Sequence, residues 1–476
     1  MKYFIIAIIN IISTAISAQI SIDGRAVIYN SESNIILPIV QLTGNFGYDY
    51  QEGTISIIYP DGSSDNNLSA QIKWRGGTTN AEGKHKRNYK IKFTEDHTFF
   101  GMRNDNNWIL DAGQADVFRL RNRIATELWN DFATKPYYIN EEPKALSGVR
   151  GEVVEVYLND EYIGIYSFIE CMDRKQMKLK KFEKNGTIHG VLWKSTGFSS
   201  SMMNIVPEYY DNSKPMMDVF EAKYPELDDL PETDYSTLWN AINFVVNSDD
   251  ENFKAHVHEY FDIPVVLDYY LFINLLAGLD NTGKNMYWAT YDQQTDKKIT
   301  PAIWDLDMTV GASSLKHIKE DFISPQIPIL DCLNLITRLK SLNVDYFNEK
   351  VNQRYSQLRK SFFSLKHLSD RYLSYYNKLK LSGAAKREQI RWSCDTDING
   401  EVIDFDEEIQ YINYWINQRI QYLDNIFDYN ESTKIIELKT TYDENAVFYN
   451  MHGQRINNSY SFKKGVYIRN GKKYIK

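Results

Sequence analysis

A chain of 476 residues with a formal charge of −9, a pI near 5.5 and 43% hydrophobic residues is long enough for a large core and carries the wrong sign for a nucleic-acid surface. A basic partner is the better electrostatic match. The three cysteines, Cys171, Cys332 and Cys394, are odd in number and widely spread, which argues against a disulfide framework, so packing has to hold the chain together.

Residues 1–18 read as a signal peptide, with Lys2 as the positive start, an apolar stretch over 4–16 and Ser17-Ala18 before the cut at Gln19. No cysteine follows the cut, which speaks against a lipid anchor, and no later run is long enough to span a bilayer. The mature product is therefore expected to be secreted or held at the cell surface or in the periplasm.

From residue 20 to about 93 short β-rich runs alternate with Gly, Asn and Asp turn signals, which predicts an N-terminal β lobe. The segment Arg75-Gly-Gly-Thr78-Thr79 is a small-residue loop whose amides and hydroxyls suit anionic oxygens. The strand after it alternates, with Tyr89, Ile91 and Phe93 on one face and Lys90 and Lys92 on the other. Arg75 is the strongest phosphate candidate, because a guanidinium offers a forked match. Either lysine is a second contact, or both are solvent-face residues of an edge strand.

Residues 116–133 show helical spacing, with Asp116 as the expected cap and Arg121 and Asn122 on a surface that would face a nucleotide. Glu127 is a candidate partner for a strand lysine, or a solvated acid. Residues 153–170 read as a hairpin turning at Asn159-Asp160. It runs into Glu170-Cys-Met-Asp173, which is expected to be a hinge between lobes with Glu170 and Asp173 near the nucleotide; the rival reading is an acidic loop capping the next helix. Ser199–Met202 reads as a mobile loop.

The most informative stretch is 279–311. An apolar segment delivers Asp280, Asn285 follows five positions on, the aromatic strand M-Y-W-A-T-Y leaves, and Trp-Asp305-Leu-Asp307 stands where the next strand would end. Phosphoryl transfer needs a base for the attacking hydroxyl, oxygen ligands for a divalent cation and positive groups on the phosphates. Asp280 fits the base, Asn285 and Asp305 or Asp307 fit the metal ligands, and Asp305 is favoured over Asp307. A D-x4-N spacing alone is equally a solvated turn, so the weight rests on the order of the parts.

His256-x-His258 has no third ligand nearby and reads as an exposed helix rather than a zinc site. Residues 333–380 and 401–427 are apolar every three to four positions, which predicts a helical C-terminal lobe. The aromatic residues, 14% of the chain, fall into such patterns and read as core rather than as a sugar platform. Past Asn430 short strands return, with Asn470-Gly471 as a hairpin turn.

The blocks R-G-G-T-T, K-R-N-Y-K-I-K-F, N-W-I-L, V-Y-L-N-D-E-Y-I-G-I-Y-S-F-I-E, E-A-K-Y-P-E, D-N-T-G-K-N-M-Y-W and P-A-I-W-D-L-D, in this order, resemble the CotH family, the spore coat protein H type of atypical secreted kinases. That resemblance implies an α+β, two-lobed protein-kinase-like fold. It also implies transfer of the γ-phosphate of ATP, with Mg²⁺ or Mn²⁺, to Ser or Thr of a protein substrate. Asp280 takes the place of the catalytic Asp, Asn285 and Asp305 of the metal side, and Arg75 with Lys90 or Lys92 of the phosphate contacts. The family's R-G-N-S-S becomes R-G-G-T-T here, which keeps the hydroxyls. AMP transfer on the same site and a non-catalytic surface protein are the alternatives. The expected division is 1–18 signal peptide, 19–430 kinase-like domain with lobes of about 19–170 and 171–430, and 431–476 a small β module. That module resembles the C-terminal sorting and anchoring segments of exported Bacteroidetes proteins.

Overall fold

The computed structural model describes residues 36–77, 85–312, 333–396 and 402–430, together with the backbone of six short strands outside those spans. The expected signal peptide, Thr78 and Thr79 lie outside the described residues. The chain divides into a unit of residues 1–429 and a second of 430–476.

In the larger unit, strands β1 (Gln19–Ile22) and β2 (Arg25–Ile28) form a hairpin. Then β3 (Ile39–Thr43), β4 (Gln51–Ile58), β5 (Ser64–Arg75), β6 (Asn88–Thr98), β7 (Asn104–Asp111), β8 (Gly151–Leu158) and β9 (Glu161–Glu170) close into a barrel in the order β3-β4-β5-β6-β7-β9-β8. The closing contact is parallel, Ile39 facing Glu155 through to Leu42 facing Leu158, so this barrel has no free edge. Alternation sends Ile55, Ile72, Ile91, Trp108 and Phe168 inward, where they pack together. Lys90 and Lys92 accordingly point outward, and β6 is paired on both sides rather than forming an edge. The β8–β9 turn is where the sequence expects it. Asn159 and Asp160 both take positive φ, and the Asn159 amide bonds both backbone groups of Gly44.

Helix α1 (Arg121–Phe132) begins five residues later than the sequence predicts. Asp116 does not cap it from one turn away; its carboxylate accepts from the backbone N–H of Phe118 and Arg121 and folds residues 116–120 into a turn. After the short helix α2 (Arg174–Met177), strands β10 (Val191–Ser195), β11 (Met216–Met217), β12 (Phe220–Tyr224), β13 (Met286–Thr290) and β14 (Thr300–Ile303) build a five-stranded sheet. The region expected to be a helical lobe therefore holds a sheet as well. One face of this sheet, Leu192, Tyr287, Ala289 and Ala302, packs with Ile109 and Ile169 from the outside of the barrel. The other face, with Trp193, Phe220, Met286 and Trp288, packs on the helices.

The helices are α3 (Ser236–Asn247), α4 (Asp250–Tyr260), α5 (Ile263–Leu276), α6 (Asn334–Ser341), α7 (Phe347–Arg359), α8 (Leu365–Leu381), α9 (Ala384–Arg391) and α10 (Phe405–Ile426). Helix α5 starts with Pro264 in its first turn and is buried on every side from Val265 to Leu276, as a helix apolar all round must be. Its one buried carboxylate, Asp268, is matched by Arg354 at 2.8 Å. Trp108, Trp129, Trp193, Trp288 and Trp415 are fully buried, as the core reading of the aromatics expects. His256 lies exposed on α4, paired with Glu259. Residues 200–202, in the stretch the sequence reads as a loop, form a 3₁₀ turn in which Ser200 Oγ donates to Asp218 at 2.6 Å. Cys171 and Cys394 are free thiols.

In the smaller unit β15 (Phe448–Asn450), β16 (Arg455–Ile456), β17 (Val466–Arg469) and β18 (Lys472–Ile475) form an antiparallel sheet in the order β16-β15-β17-β18. Arg469 faces Lys472, the register of a two-residue turn. Among the described residues no helix is long and apolar enough to cross a membrane.

Candidate active site

Helix α5 is the rigid delivery arm of the first loop. It ends at Ala277 in the left-handed region, Gly278 follows, and a 3₁₀ turn over Leu279–Asn281 swings Asp280 out to a position half open to solvent. Three contacts fix the loop. The Tyr269 hydroxyl donates to Asn281 O at 2.6 Å, the Asn285 backbone N–H donates to Ser195 O at 3.1 Å, and the Asn285 amide donates to Asp280 Oδ2 at 2.7 Å. Lys284 places its ammonium 2.9 Å from both oxygens of Asp280.

The second loop leaves β14. The strand does not persist through the Trp-Asp-Leu-Asp cluster, so Asp305 and Asp307 do not share a strand face as the sequence reading supposed. Asp305 instead adopts φ of +59°, a conformation short polar side chains tolerate. Asn281, completely buried, ties the two loops together: its amide nitrogen lies 3.2 Å from Asn285 O, 2.8 Å from Trp304 O and 3.3 Å from Asp305 O. Asn122 of α1 ties them to the barrel. Its Oδ1 accepts from Leu306 N at 3.1 Å while its Nδ2 donates to Asp111 Oδ2, at the end of β7, at 2.8 Å.

Asp111, Asp280, Asp305 and Asp307 thus sit within electrostatic reach of one another. Burial and then the charge of Asp111 push the Asp305 carboxyl above the ordinary carboxylate range, with Asp280 adding to the effect and Lys194 and Arg75 opposing it. Burial, then Asp305 and Asp111, push Asp307 well above it. Among the described residues no donor meets either carboxylate. On the positive side, Arg75 at the end of β5 lies 5.5 Å over the Trp304 ring and Lys194 of β10 lies 5.9 Å over the same ring. Burial lowers the Lys194 pKa, Asp305 working against it.

Of the two strand lysines, Lys92 is exposed, whereas Lys90 is partly buried and within electrostatic reach of Cys171, Tyr50, Arg75 and Asp173. Four other expectations need correction. Arg121 does not face an open site; it is fully buried, held between Asp116 and Glu408, because helix α1 starts at this residue and turns it inward. Glu170 is also buried, its oxygens taken by Arg103 N at 2.9 Å and by Arg150 N and Nη2 at 3.0 and 2.7 Å. Asp173 follows the rival reading: it caps α2 through Gln176 N at 2.8 Å and pairs with Arg103 at 2.7 Å. Glu127 meets Arg123 and Tyr375, not a strand lysine. Sequence reasoning overlooked Asp111, Lys194, Asn281 and Lys284. Only Lys284 and Asn281 carried a signal, their place inside the D-N-T-G-K-N run.

A family model described as CotH kinase protein matches residues 72–423, from inside β5 to inside α10, and so spans every residue of this site apart from its approach. The chain belongs to the CotH kinase family. No curated protein matches it.

Kinases use ATP with a divalent cation, and the residues present fit such a cation. The donors are hard carboxylate oxygens, and two of them, on Asp305 and Asp307, lie within electrostatic reach of each other with no counter-charge in direct contact among the described residues. Among the described residues no group of three or more His, Cys, Asp or Glu is placed to hold a metal ion by itself. Mg²⁺ keeps waters and phosphate oxygens and takes only one or two carboxylates from a protein, a number that Asp305 and Asp307 can supply.

Proposed function

We propose that this CotH-family chain is a secreted protein kinase that transfers the γ-phosphate of ATP to Ser or Thr hydroxyls. The barrel of β3–β9 and the sheet-and-helix remainder serve as its two lobes, and residues 431–476 as a sorting or anchoring module. The single observation that carries the reading is the meeting of Asp280, Asn285, Asp305 and Asp307 beside Arg75, Lys194 and Lys284.

Phosphoryl transfer asks for alignment and charge neutralisation more than for covalent chemistry. Asp280 is half-exposed and held from behind by Asn285, so one carboxylate edge is fixed while an incoming hydroxyl has access to the group that takes its proton. Lys284, paired to Asp280, brings a positive charge to the same point. Arg75 of the barrel and Lys194 of the five-stranded sheet, both beside Trp304, are the cations that receive phosphate oxygens. Lys90 is the better placed of the strand lysines for the rest of the nucleotide. Asp305, Asp307 and Asn285 are the residues that would hold the divalent cation, with Asp111 behind them on Asn122. When bound, that cation neutralises charge on the phosphates.

The test is incubation of mature protein with ATP, Mg²⁺ or Mn²⁺ and a Ser-rich acceptor, read by mass spectrometry, beside Asp280→Ala and Asp305→Ala. A phosphoryl adduct that disappears in both folded variants is the expected result. An adenylyl adduct would replace the kinase by AMP transfer. No ATP binding and no adduct, with binding of glycans instead, would replace it by a surface adhesin. Secretion is tested by the N-terminus of the exported protein, expected near Gln19.

A further inference from the structure

Lys86 stands two residues before β6, and nothing in the mechanism above uses it. It is completely buried. Its ammonium donates to Ala112 O at 2.8 Å, Ile165 O at 2.6 Å and Glu388 Oε1 at 2.8 Å, so all three N–H groups are spoken for, and it rests 4.7 Å over the Tyr166 ring. Glu388, on α9 and equally buried, accepts in addition from Arg119 Nε and from Ile165 N, each at 2.7 Å. Arg119 in turn donates to the carbonyls of Gly113 and Gln114 at 3.1 and 2.9 Å, wrapping the 113–119 loop around itself. The fit allows no side chain at Gly164, where a Cβ would strike Glu388 and come within 3.0 Å of Lys86 Cε.

Two cations and an anion buried together are an expensive way to hold an interior, since apolar side chains of like volume are often as stable or more so. What the charges add is direction. Ala112 is gripped from both sides, its carbonyl by Lys86 and its N–H by Asn88 Oδ1 at 2.7 Å. The residue before it is Asp111, which bonds Asn122, which bonds Leu306 N between Asp305 and Asp307. Hydrogen bonds joined by the single Asp111–Ala112 peptide link therefore lead from α9, through Lys86, to the acid loop.

We propose that Lys86, oriented by Glu388, is a positioning residue that sets Asp111 and through it the cation-holding loop, making α9 part of the scaffold of the site. This rests on the kinase reading for its activity arm. The experiment compares Lys86→Met, Glu388→Gln and Lys86→Arg in the full mature chain. It measures KM for ATP, kcat, the Mg²⁺ concentration for half activity, and binding of Mn²⁺ alone by electron paramagnetic resonance. Groups that orient a metal's ligands typically matter by 10- to 100-fold, so Lys86→Met is expected to weaken Mn²⁺ and to lower kcat by about that much, with KM for ATP changed less than about twofold. Lys86→Arg should restore part of both. Should Lys86→Met fail to fold, Glu388→Gln, which keeps shape and acceptor while removing the charge, carries the test with the same signs. Folded variants with wild-type Mn²⁺ binding and Mg²⁺ dependence would overturn the proposal. A wild type that transfers no phosphate would sink the kinase reading, and the Mn²⁺ arm would still decide the positioning claim.

Discussion

Replacing Asn281 by Ala strikes the joint between the two acid-bearing loops. The amide has two N–H groups for three carbonyls, so the 2.8 Å contact with Trp304 O counts as one full bond, and the 3.2 and 3.3 Å contacts with Asn285 and Asp305 share the other. At about 1 kcal/mol net for each bond, the direct loss is about 2 kcal/mol. The carbonyls left bare in a site this closed add about 1–3 kcal/mol. Against this, Asn281 Oδ1 has no partner among the described residues, and removing a buried unpaired acceptor returns about 1 kcal/mol. The expected loss is about 2–4 kcal/mol, read as a shift in urea midpoint followed by tryptophan fluorescence. Because a misplacement of about 1 Å can cost about 100-fold in rate, kcat should fall by about 10- to 100-fold in protein that is still folded. Asn281→Asp sharpens the test. It keeps the shape but turns acceptors toward acceptors, so it should be less stable than Asn281→Ala. An alanine variant within about 0.5 kcal/mol of wild type, or an aspartate variant as stable as it, would refute the bracing argument.

Glu170→Ala should lower the stability read from denaturant unfolding by about 2–3 kcal/mol, since it leaves the N–H groups of Arg103 and Arg150 without their acceptor while the Arg150 side chain, 41% exposed, turns to water. In the folded fraction KM for ATP should stay within about twofold, measured by initial rates; a large rise in KM with unchanged stability would return Glu170 to the nucleotide. Burial raises the Asp262 carboxyl to about 6 although it accepts from Tyr137 N at 2.8 Å. An acid with a raised folded pKa binds its proton more tightly when folded. Stability is therefore highest below the ordinary value near 3.9 and declines as pH climbs to about 6, by roughly 3 kcal/mol from this group. Asp262→Asn keeps the acceptor and should flatten that part of the pH–stability curve; an unchanged slope would remove Asp262 as its source.

What the sequence made legible was local. D-N-T-G-K-N and W-D-L-D stand out because each ends a strongly apolar element, so burial of α5 and β14 alone brings their polar tips to a surface. The β8–β9 turn was legible for the same kind of reason, the tolerance of Asn and Asp for positive φ. Asp111 and Lys194 were not. Alternation says which face of a strand a side chain takes, but not which residue of another element stands opposite, and both owe their place to pairings far apart in sequence. The parallel β3–β8 pair that closes the barrel is hidden likewise. Arg121 was misplaced by a boundary: its apolar neighbours at Val117 and Leu120 continue the helical spacing through a segment that is really a turn around Asp116.

The corrected place of Arg121 still bears on the site. Val310, a β-branched residue, sits at φ of +50°, where such side chains are genuine outliers, and it closes the loop that carries Asp305 and Asp307. Its N–H is held by Leu276 O at 2.9 Å, at the end of the helix that delivers Asp280, and its carbonyl by the Arg121 guanidinium at 3.3 Å. Ala277, Asn285 and Asp305 are left-handed as well, so the strained positions bracket both loops. Each costs about 1–3 kcal/mol unless its surroundings over-determine it. Buried Arg121, Asn281 and α5 supply that constraint, while the acids at the tips keep their mutual repulsion. Strain fixed from behind and like charge left open in front is the arrangement expected where a cationic ligand, rather than the fold, completes the balance.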